Sequence, residues 1–267
     1  MEAGKAKKTI FAQIFLMAGK LRYSILFLIY KNLQLKYKHS ALGFLWSVLH
    51  PFFYLLIFLI IFSTAFPYIE NYPLYVLSGL VFWIFFTGGT SQICIVFIKN
   101  AHIIKSLNLP KTIFPLTELG SELISFLLAL IPFMVIMYFL GLDFSWNMFY
   151  LVPVIVLFSV FIFSVGLILG SLNVFFRDVG ILWNTINPAL FYFSPIAYSY
   201  EIIPEKYHFL VKYNPIYHFL EIIRDVLYDG RAPSLHYTVN CLIITGAFAL
   251  LAVFIYRKTR NGFISNI

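Results

Sequence analysis

The chain has 267 residues, 61% of them hydrophobic, 20% aromatic and only 11% charged, against about 45–50% apolar and about 25% charged in ordinary globular domains. That composition excludes an ordinary soluble domain, and it turns the formal net charge of +8 from a nucleic-acid signal into a question of where the cations sit. Six windows lack Asp, Glu, Lys and Arg altogether: 39–69, 71–98, 123–142, 144–176, 179–200 and 232–256.

About 20 apolar residues cross a hydrocarbon core as a helix. The windows therefore predict an all-α integral membrane protein, one domain over 1–267: a cytoplasmic start at 1–46, a six-helix membrane part at 47–256 and a cytoplasmic tail at 257–267. Orientation follows from the cations, because Lys and Arg are retained on the cytoplasmic side. Lys5, Lys7, Lys8, Lys20, Arg22, Lys31, Lys36 and Lys38 lie ahead of or at the edge of the first window; Lys99, Lys105 and Lys111 lie in one connector, Arg177 in one turn, and Arg257, Lys258 and Arg260 at the end. The alternate loops hold Glu70 and Asp143 with no cation, then a mixed segment at 201–231. Both termini are expected in the cytoplasm. Residues 1–38 show no apolar core ending at a small-residue cleavage site, so the first span is expected to act as the insertion signal. Cys94 and Cys241 fall inside windows and read as small apolar side chains, and no Cys/His spacing resembles a metal site.

Ahead of the first window, Leu26, Ile29, Tyr30, Leu33 and Tyr37 share one helical face while Lys20, Lys31, Gln34 and Lys38 share another. This predicts an amphipathic helix along the interface, either a basic anchor on acidic lipids or a dock for a cytoplasmic partner. The first span opens at 42–51, with Trp46 suited to the headgroup level and a kink expected at Pro51. In the second, Gly88-Gly89 beside Thr87, Thr90, Ser91 and Gln92 reads as a bend open to an internal path or as close helix packing. The connector 99–117 predicts a short helix between Asn100 and Leu109, bracketed by Pro110 and Pro115. It reads as an ordinary loop or as the place where a soluble motor presses.

Glu118 and Glu122 stand four residues apart on one face near the cytoplasmic end of the third span. An intramembrane acid is a functional candidate by default; an interfacial carboxylate paired with a nearby Lys or Arg is the alternative. In the fourth span Gly166-x-x-x-Gly170, followed by Ser171, permits close approach of another helix. The span ends in Asn173–Asp178, where Arg177 and Asp178 could cap helix ends. After the fifth span ends at Phe193-Ser194-Pro195, two short helices tucked into the outer leaflet are predicted, at 202–211 and after Asn214-Pro215, as a gate or as a cap. Along the second of them, Ile216, Phe219, Leu220, Ile223 and Leu227 share one face, with Glu221, Asp225 and Asp229 opposite.

These runs, taken in order, carry a resemblance: 37–46 (YKHSALGFLW) into the first span, Ser121-Glu122-Leu123-Ile124 in the third, 172–178 (LNVFFRD) after the fourth, Ser194-Pro195-Ile196, and Tyr213-Asn214-Pro215. The chain resembles the membrane subunit of polysaccharide ABC exporters, the ABC-2 type permeases of O-antigen, teichoic acid and capsule; Met1–Lys8 lies outside the matching runs. The resemblance implies a homodimer of six-helix subunits in the cytoplasmic (inner) membrane, enclosing a channel for a lipid-linked polysaccharide, usually carried on undecaprenyl diphosphate. Two copies of a separate cytoplasmic ABC ATPase would sit below, pressing on the helix near 22–40 and the connector near 99–115, with Lys31, Lys36, Lys38 and Lys105 as docking cations. ATP-driven closure of that pair would tilt spans one and five to widen the channel. Glu122, Arg177 and Asp178 would serve the cytoplasmic entrance or coupling, and the helices between 201 and 231, with Pro195, Tyr213, Pro215 and Phe219, the outer gate.

The residues themselves fit at several points. The only Gly-Lys pairs, Gly4-Lys5 and Gly19-Lys20, are followed by Ala and Leu, so no phosphate-binding loop is present. No cofactor is expected in this chain; ATP and Mg belong to the partner. The 31 Phe, 18 Tyr and 4 Trp either line a channel on which sugar rings slide or fill the core. Two alternatives come from other classes. An intramembrane glycosyl- or acyltransferase of envelope biosynthesis needs a polar catalytic cluster, but there is no Asp-x-Asp, and His39, His50, His102, His208, His218 and His236 are scattered near boundaries. An ion-coupled transporter would show broken helices and internal repeats.

Overall fold

The computed structural model describes residues 23–36, 38, 40, 42–62, 66, 68–106, 109–139 and 144–267. The lysine-rich start Met1–Lys8, with Lys20, Arg22, Tyr37, His39, Ala41 and Asp143, lies outside the described residues. Among those described, all regular structure is helical. After α1 (23–36) come α2 (Trp46–Phe62), α3 (Tyr72–Lys99), α4 (Ala101–Ser106), α5 (Ile113–Phe139), α6 (Leu151–Asn173) and α7 (Asp178–Phe193). They are followed by α8 (His208–Lys212), α9 (Pro215–Leu227), α10 (Leu235–Thr259) and α11 (Phe263–Asn266).

Among the described residues, four helical stretches are long and apolar enough to cross a membrane: Tyr72–Lys99, Ile113–Phe139, Trp146–Asn173 and Leu235–Asn266. The sequence windows led to an expectation of six. The other two windows yield α2 and α7, of 17 and 16 described helical residues, about 25 Å at 1.5 Å per residue, against a hydrocarbon core of about 30 Å. The uncharged windows overstated helix length because turn residues, such as Ser194-Pro195 after α7, carry no charge either.

α5 starts at Ile113, earlier than the expected end of the connector, and takes Pro115 into its first turn. Proline is tolerated there because its missing N–H would have had no intrahelical partner. The 3₁₀ turn Trp146–Tyr150 leads into α6 and is capped by Ser145, whose Oγ accepts from Asn147 N at 3.2 Å. α9 begins on Pro215 with Asn214 as its cap, Oδ1 accepting from Ile216 N at 3.0 Å.

α3 is the central helix, touching α2, α5, α6, α7 and α9. Lipid offers no hydrophobic drive between helices, so close packing must hold them. A Cβ on Gly170 would lie 2.6 Å from the Ile93 carbonyl oxygen, and one on Gly89 would lie 2.5 Å from Ile162 Cγ2. The two helices thus meet where each has lost a side chain. Alongside, Phe82 and Phe85 of α3 meet Phe126 of α5 with ring centroids 4.8 and 4.7 Å apart, and Phe158 and Phe161 of α6 meet Phe219 of α9 at 4.8 and 5.1 Å. All six rings are buried, although many other aromatic side chains, among them Phe52, Phe139, Trp146 and Tyr213, are exposed.

The apolar face of α9 is buried and the face opposite is only partly open. Asp225 is 2% exposed and Arg224 5%, because α9 is packed between α3, α6 and α10 and against the turn before α6. No water-facing side is left for Asp225.

Candidate functional site

At the basic end of the bundle, α1 lies against α5. Gly120 leaves room for Ile29, whose Cδ1 would be 2.7 Å from a Cβ there, and Ser121 Oγ donates to Ile29 O at 3.4 Å. Ile29 and Leu33 are half-buried, whereas Leu26 and Tyr30, grouped with them in the sequence, are exposed. Lys36 then reaches across, its Nζ 3.0 and 2.9 Å from the two carboxylate oxygens of Glu122. One turn away, Lys99 Nζ donates to Glu118 Oε1 at 3.0 Å. Both acids are buried, and each is met by a lysine from another helix. Gly88 completes the arrangement, since a Cβ there would stand 2.9 Å from Glu122 Oε2. α3 runs unbroken through Gly88-Gly89, so the pair serves close approach, with Gly88 toward Glu122 and Gly89 toward Ile162.

The ion pair borders a cleft of about 530 Å³ between α1, α2, α3 and α5, lined by Lys36, Trp46, His50, Ser91, Gln92 and Glu122 among others. His50, Ile84, Thr87 and Ser91 also line a second cleft of about 620 Å³ that continues toward α7, past Tyr54, Asn184 and Asn187. Asn187 Nδ2 donates to Thr87 Oγ1, while its Oδ1 is buried without a partner. The two clefts adjoin through the shared residues, and beyond the Lys36–Glu122 pair their lining is apolar with neutral amides and hydroxyls.

The remaining cations of this end are placed as follows. Lys31 is half-buried and Lys38 exposed. Lys105, on α4, donates to Ile267 O, and Lys111 donates to Arg260 O at 2.7 Å. Arg177 and Asp178 are exposed in the turn between α6 and α7, with Arg177 donating to Asn266 O at 3.4 Å. Phe263 is fully buried, 4.6 Å from the Phe97 ring. The turn is fixed by Asn173, which donates to Cys94 O at 3.0 Å and accepts from Gly180 N at 3.1 Å.

At the opposite end two sequence runs come together. Asn214 Nδ2 donates to Ser194 Oγ at 2.9 Å, and Arg224 donates to Pro195 O at 2.6 Å and Ile196 O at 3.0 Å. The Arg224 guanidinium also sits 3.7 Å from the Tyr75 ring centroid and 3.7 Å from Glu221. Asp225 turns the other way, accepting from Arg231 Nε at 2.8 Å and Ser234 N at 2.8 Å. That hydrogen bond holds the Arg231 guanidinium above its ordinary value, and burial raises the Asp229 carboxyl despite Arg231 at 3.1 Å. Pro195 is buried, Pro215 is the first residue of α9, Tyr213 is 84% exposed, and Phe219 belongs to the core. Arg224 escaped the sequence reading, and Asp225, on the face opposite the apolar residues as read, is buried there. The available signal was an Arg-Asp doublet inside an apolar helix with Arg231 just beyond Gly230.

The model of the ABC-2 type transporter family matches residues 23–228, most of the chain and every element from α1 to α9. The chain belongs to that family. Among relatives of this ABC-2 protein, the O-antigen export system permease protein RfbA of Klebsiella pneumoniae is 31% identical over 237 residues, covering 87% of this chain and 90% of that one. The protein of the same name from Myxococcus xanthus is 25% identical over 251 residues, 90% and 94% of the two chains. The polysialic acid transport protein KpsM of Escherichia coli is 22% identical over 244 residues, 88% and 93%. These relatives are similar to the ABC-2 chain along nearly its whole length, and its multiple long apolar helices make it a membrane protein.

Proposed function

We propose that this chain is the channel-forming permease subunit of an ATP-driven exporter that moves a lipid-linked polysaccharide, of O-antigen, teichoic acid or capsule type, across the cytoplasmic membrane. The observation that carries the reading is the near full-length similarity to permeases named for O-antigen export. Two copies of the chain enclose the channel, α2 and α7 complete six crossings, and both termini lie in the cytoplasm. Two copies of a separate ABC ATPase, which holds ATP and Mg, dock on the basic end through Lys31, Lys38 and Lys105.

Lys36 has a second part in this reading, because the contact with Glu122 makes α1 a lever on α5. Force applied to α1 reaches the core helix through a fixed ion pair rather than through a flexible linker. Arg177 and Asp178, exposed beside α11, extend the coupling surface. Pro195, Tyr213, Pro215 and Phe219 move with α8 and α9 as an outer gate; with Phe219 in the core, that gate opens by displacement of the whole helix.

The test is purification of the tagged chain from its native membrane in mild detergent, with mass-spectrometric stoichiometry, alongside surface glycan display in a strain lacking the chain. An ABC ATPase at one copy per permease, with loss of surface polysaccharide in the deletion strain, is expected. A folded chain that comes out alone, and a deletion strain with unchanged surface glycan, would overturn the reading.

A further inference from the structure

At the end of α10 remote from Arg257 and Lys258, a cleft of about 940 Å³ opens between α8, α9 and α10. Its lining is graded along the α10 axis. One end carries Lys212, His236, Tyr237 and Asn240, and the other Ile243, Ile244, Ala247 and Phe248. From Tyr237 to Phe248 the helix rises about 16 Å, roughly half of a 30 Å hydrocarbon core. The gradient therefore runs from headgroup level toward the middle of the membrane.

Two further observations concern the polar end. The Tyr200 hydroxyl and His218 Nδ1 are buried there without a hydrogen-bond partner. His218 Nε2 lies 2.9 Å from Lys212 O, so Nε2 carries the proton and Nδ1 is left as an acceptor. A hydroxyl can satisfy both groups, whereas an anionic oxygen cannot donate to Nδ1. In addition, Lys212 is the one formally charged side chain among the described residues lining the cleft.

We propose that this cleft holds one anionic glycerophospholipid with a hydroxylated headgroup, phosphatidylglycerol being the simplest. The phosphate lies near Lys212, the glycerol hydroxyls serve His218 Nδ1 and the Tyr200 hydroxyl, and an acyl chain follows Ile243, Ile244, Ala247 and Phe248. A polysaccharide segment fits less well, since it would leave the apolar half without a matching surface. An ethanolamine headgroup would bring a second ammonium beside Lys212 with no lining acid to receive it. The inference needs only that α10 crosses the membrane; that the cleft faces the outer leaflet rests on the topology in the proposed function.

The test uses the full-length chain, delipidated in mild detergent and titrated by native mass spectrometry with phosphatidylglycerol or phosphatidylethanolamine of identical acyl chains. One tightly retained phosphatidylglycerol is expected, with the ethanolamine lipid weaker by roughly fivefold, the size of one lysine's interaction with an anionic lipid. Lys212→Glu, on an exposed side chain, should abolish the preference, and Ala247→Trp, filling the apolar half, should weaken both lipids. Equal binding of the two lipids, or phosphatidylglycerol retention unchanged in Lys212→Glu, would overturn the proposal even if Ala247→Trp fails to fold. Neither readout depends on transport, so the exporter reading can fail while this one stands.

Discussion

Breaking the contact between Lys36 and Glu122 from its two sides should not be symmetrical. The Glu122 side chain is 10% exposed and that of Lys36 40%, so the acid is the partner that cannot reach water. Lys36→Met strands a buried carboxylate next to Gly88. A fully buried pair broken this way costs about 3–5 kcal/mol and an exposed one about 0.2–1 kcal/mol, which places this case near 2 kcal/mol. Glu122→Gln leaves a lysine free to turn to solvent and an amide that still accepts a hydrogen bond, for a loss of about 1 kcal/mol. The double variant should recover about 1 kcal/mol relative to the sum, because the stranded charge is gone. Denaturant unfolding of the four proteins in one detergent measures the cycle, and surface glycan display reports whether the lever is needed. Equal losses for the two single variants, adding without interaction in the double, would refute the account of a buried acid held by an outer lysine.

Further outcomes follow from other contacts. Gly170→Ala should sharply lower the amount of folded protein in the membrane, since its Cβ would be 2.6 Å from the Ile93 carbonyl oxygen, while Gly246→Ala, with nothing within 4 Å, should be neutral; comparable losses would remove the close-approach argument. Asp225→Ala should destabilise the chain by about 1 kcal/mol, by leaving Ser234 N without its acceptor while the exposed Arg231 turns to water, and Arg231→Ala, which strands the buried Asp225 carboxylate, should cost more; a smaller loss for Arg231→Ala in thermal unfolding would contradict it. Burial holds the His218 imidazole below its ordinary 6.5, so acidification through that value protonates the unfolded chain more than the folded one, and stability should fall as pH drops. His218→Gln should flatten that slope between about pH 7 and 5; an identical slope in the two proteins would exclude His218 as its source.

Much of the architecture was legible because membrane helices are written as uncharged runs, and α9 begins at Asn214-Pro215 as read, whereas the helix expected at 202–211 is two 3₁₀ turns and the five-residue α8. The basic helix ahead of the first window was legible as a helix but not as to its face, because Leu26 and Tyr30 stay exposed while Ile29 finds the gap at Gly120. The acids of α5 announced themselves by being out of place, yet nothing in their spacing named Lys36 and Lys99, which come from two other helices. α9 misled for a related reason. A helical wheel assumes one wet face, and a helix surrounded by protein hides its charges among partners distant in sequence, as Arg224 does with Pro195 and Tyr75. Long-range pairing is a property of the packed state, and a single sequence records only its two ends.

The order of those ends along the chain has its own consequence. Lys36 and Lys99 both precede Glu118 and Glu122, so during synthesis each counter-ion is already at the membrane when the segment carrying the acids emerges. A helix entering lipid with two bare carboxylates faces a penalty that grows toward the bilayer centre. Here that helix enters beside waiting ammonium groups, and neither acid has to be neutralised by a residue still to be translated.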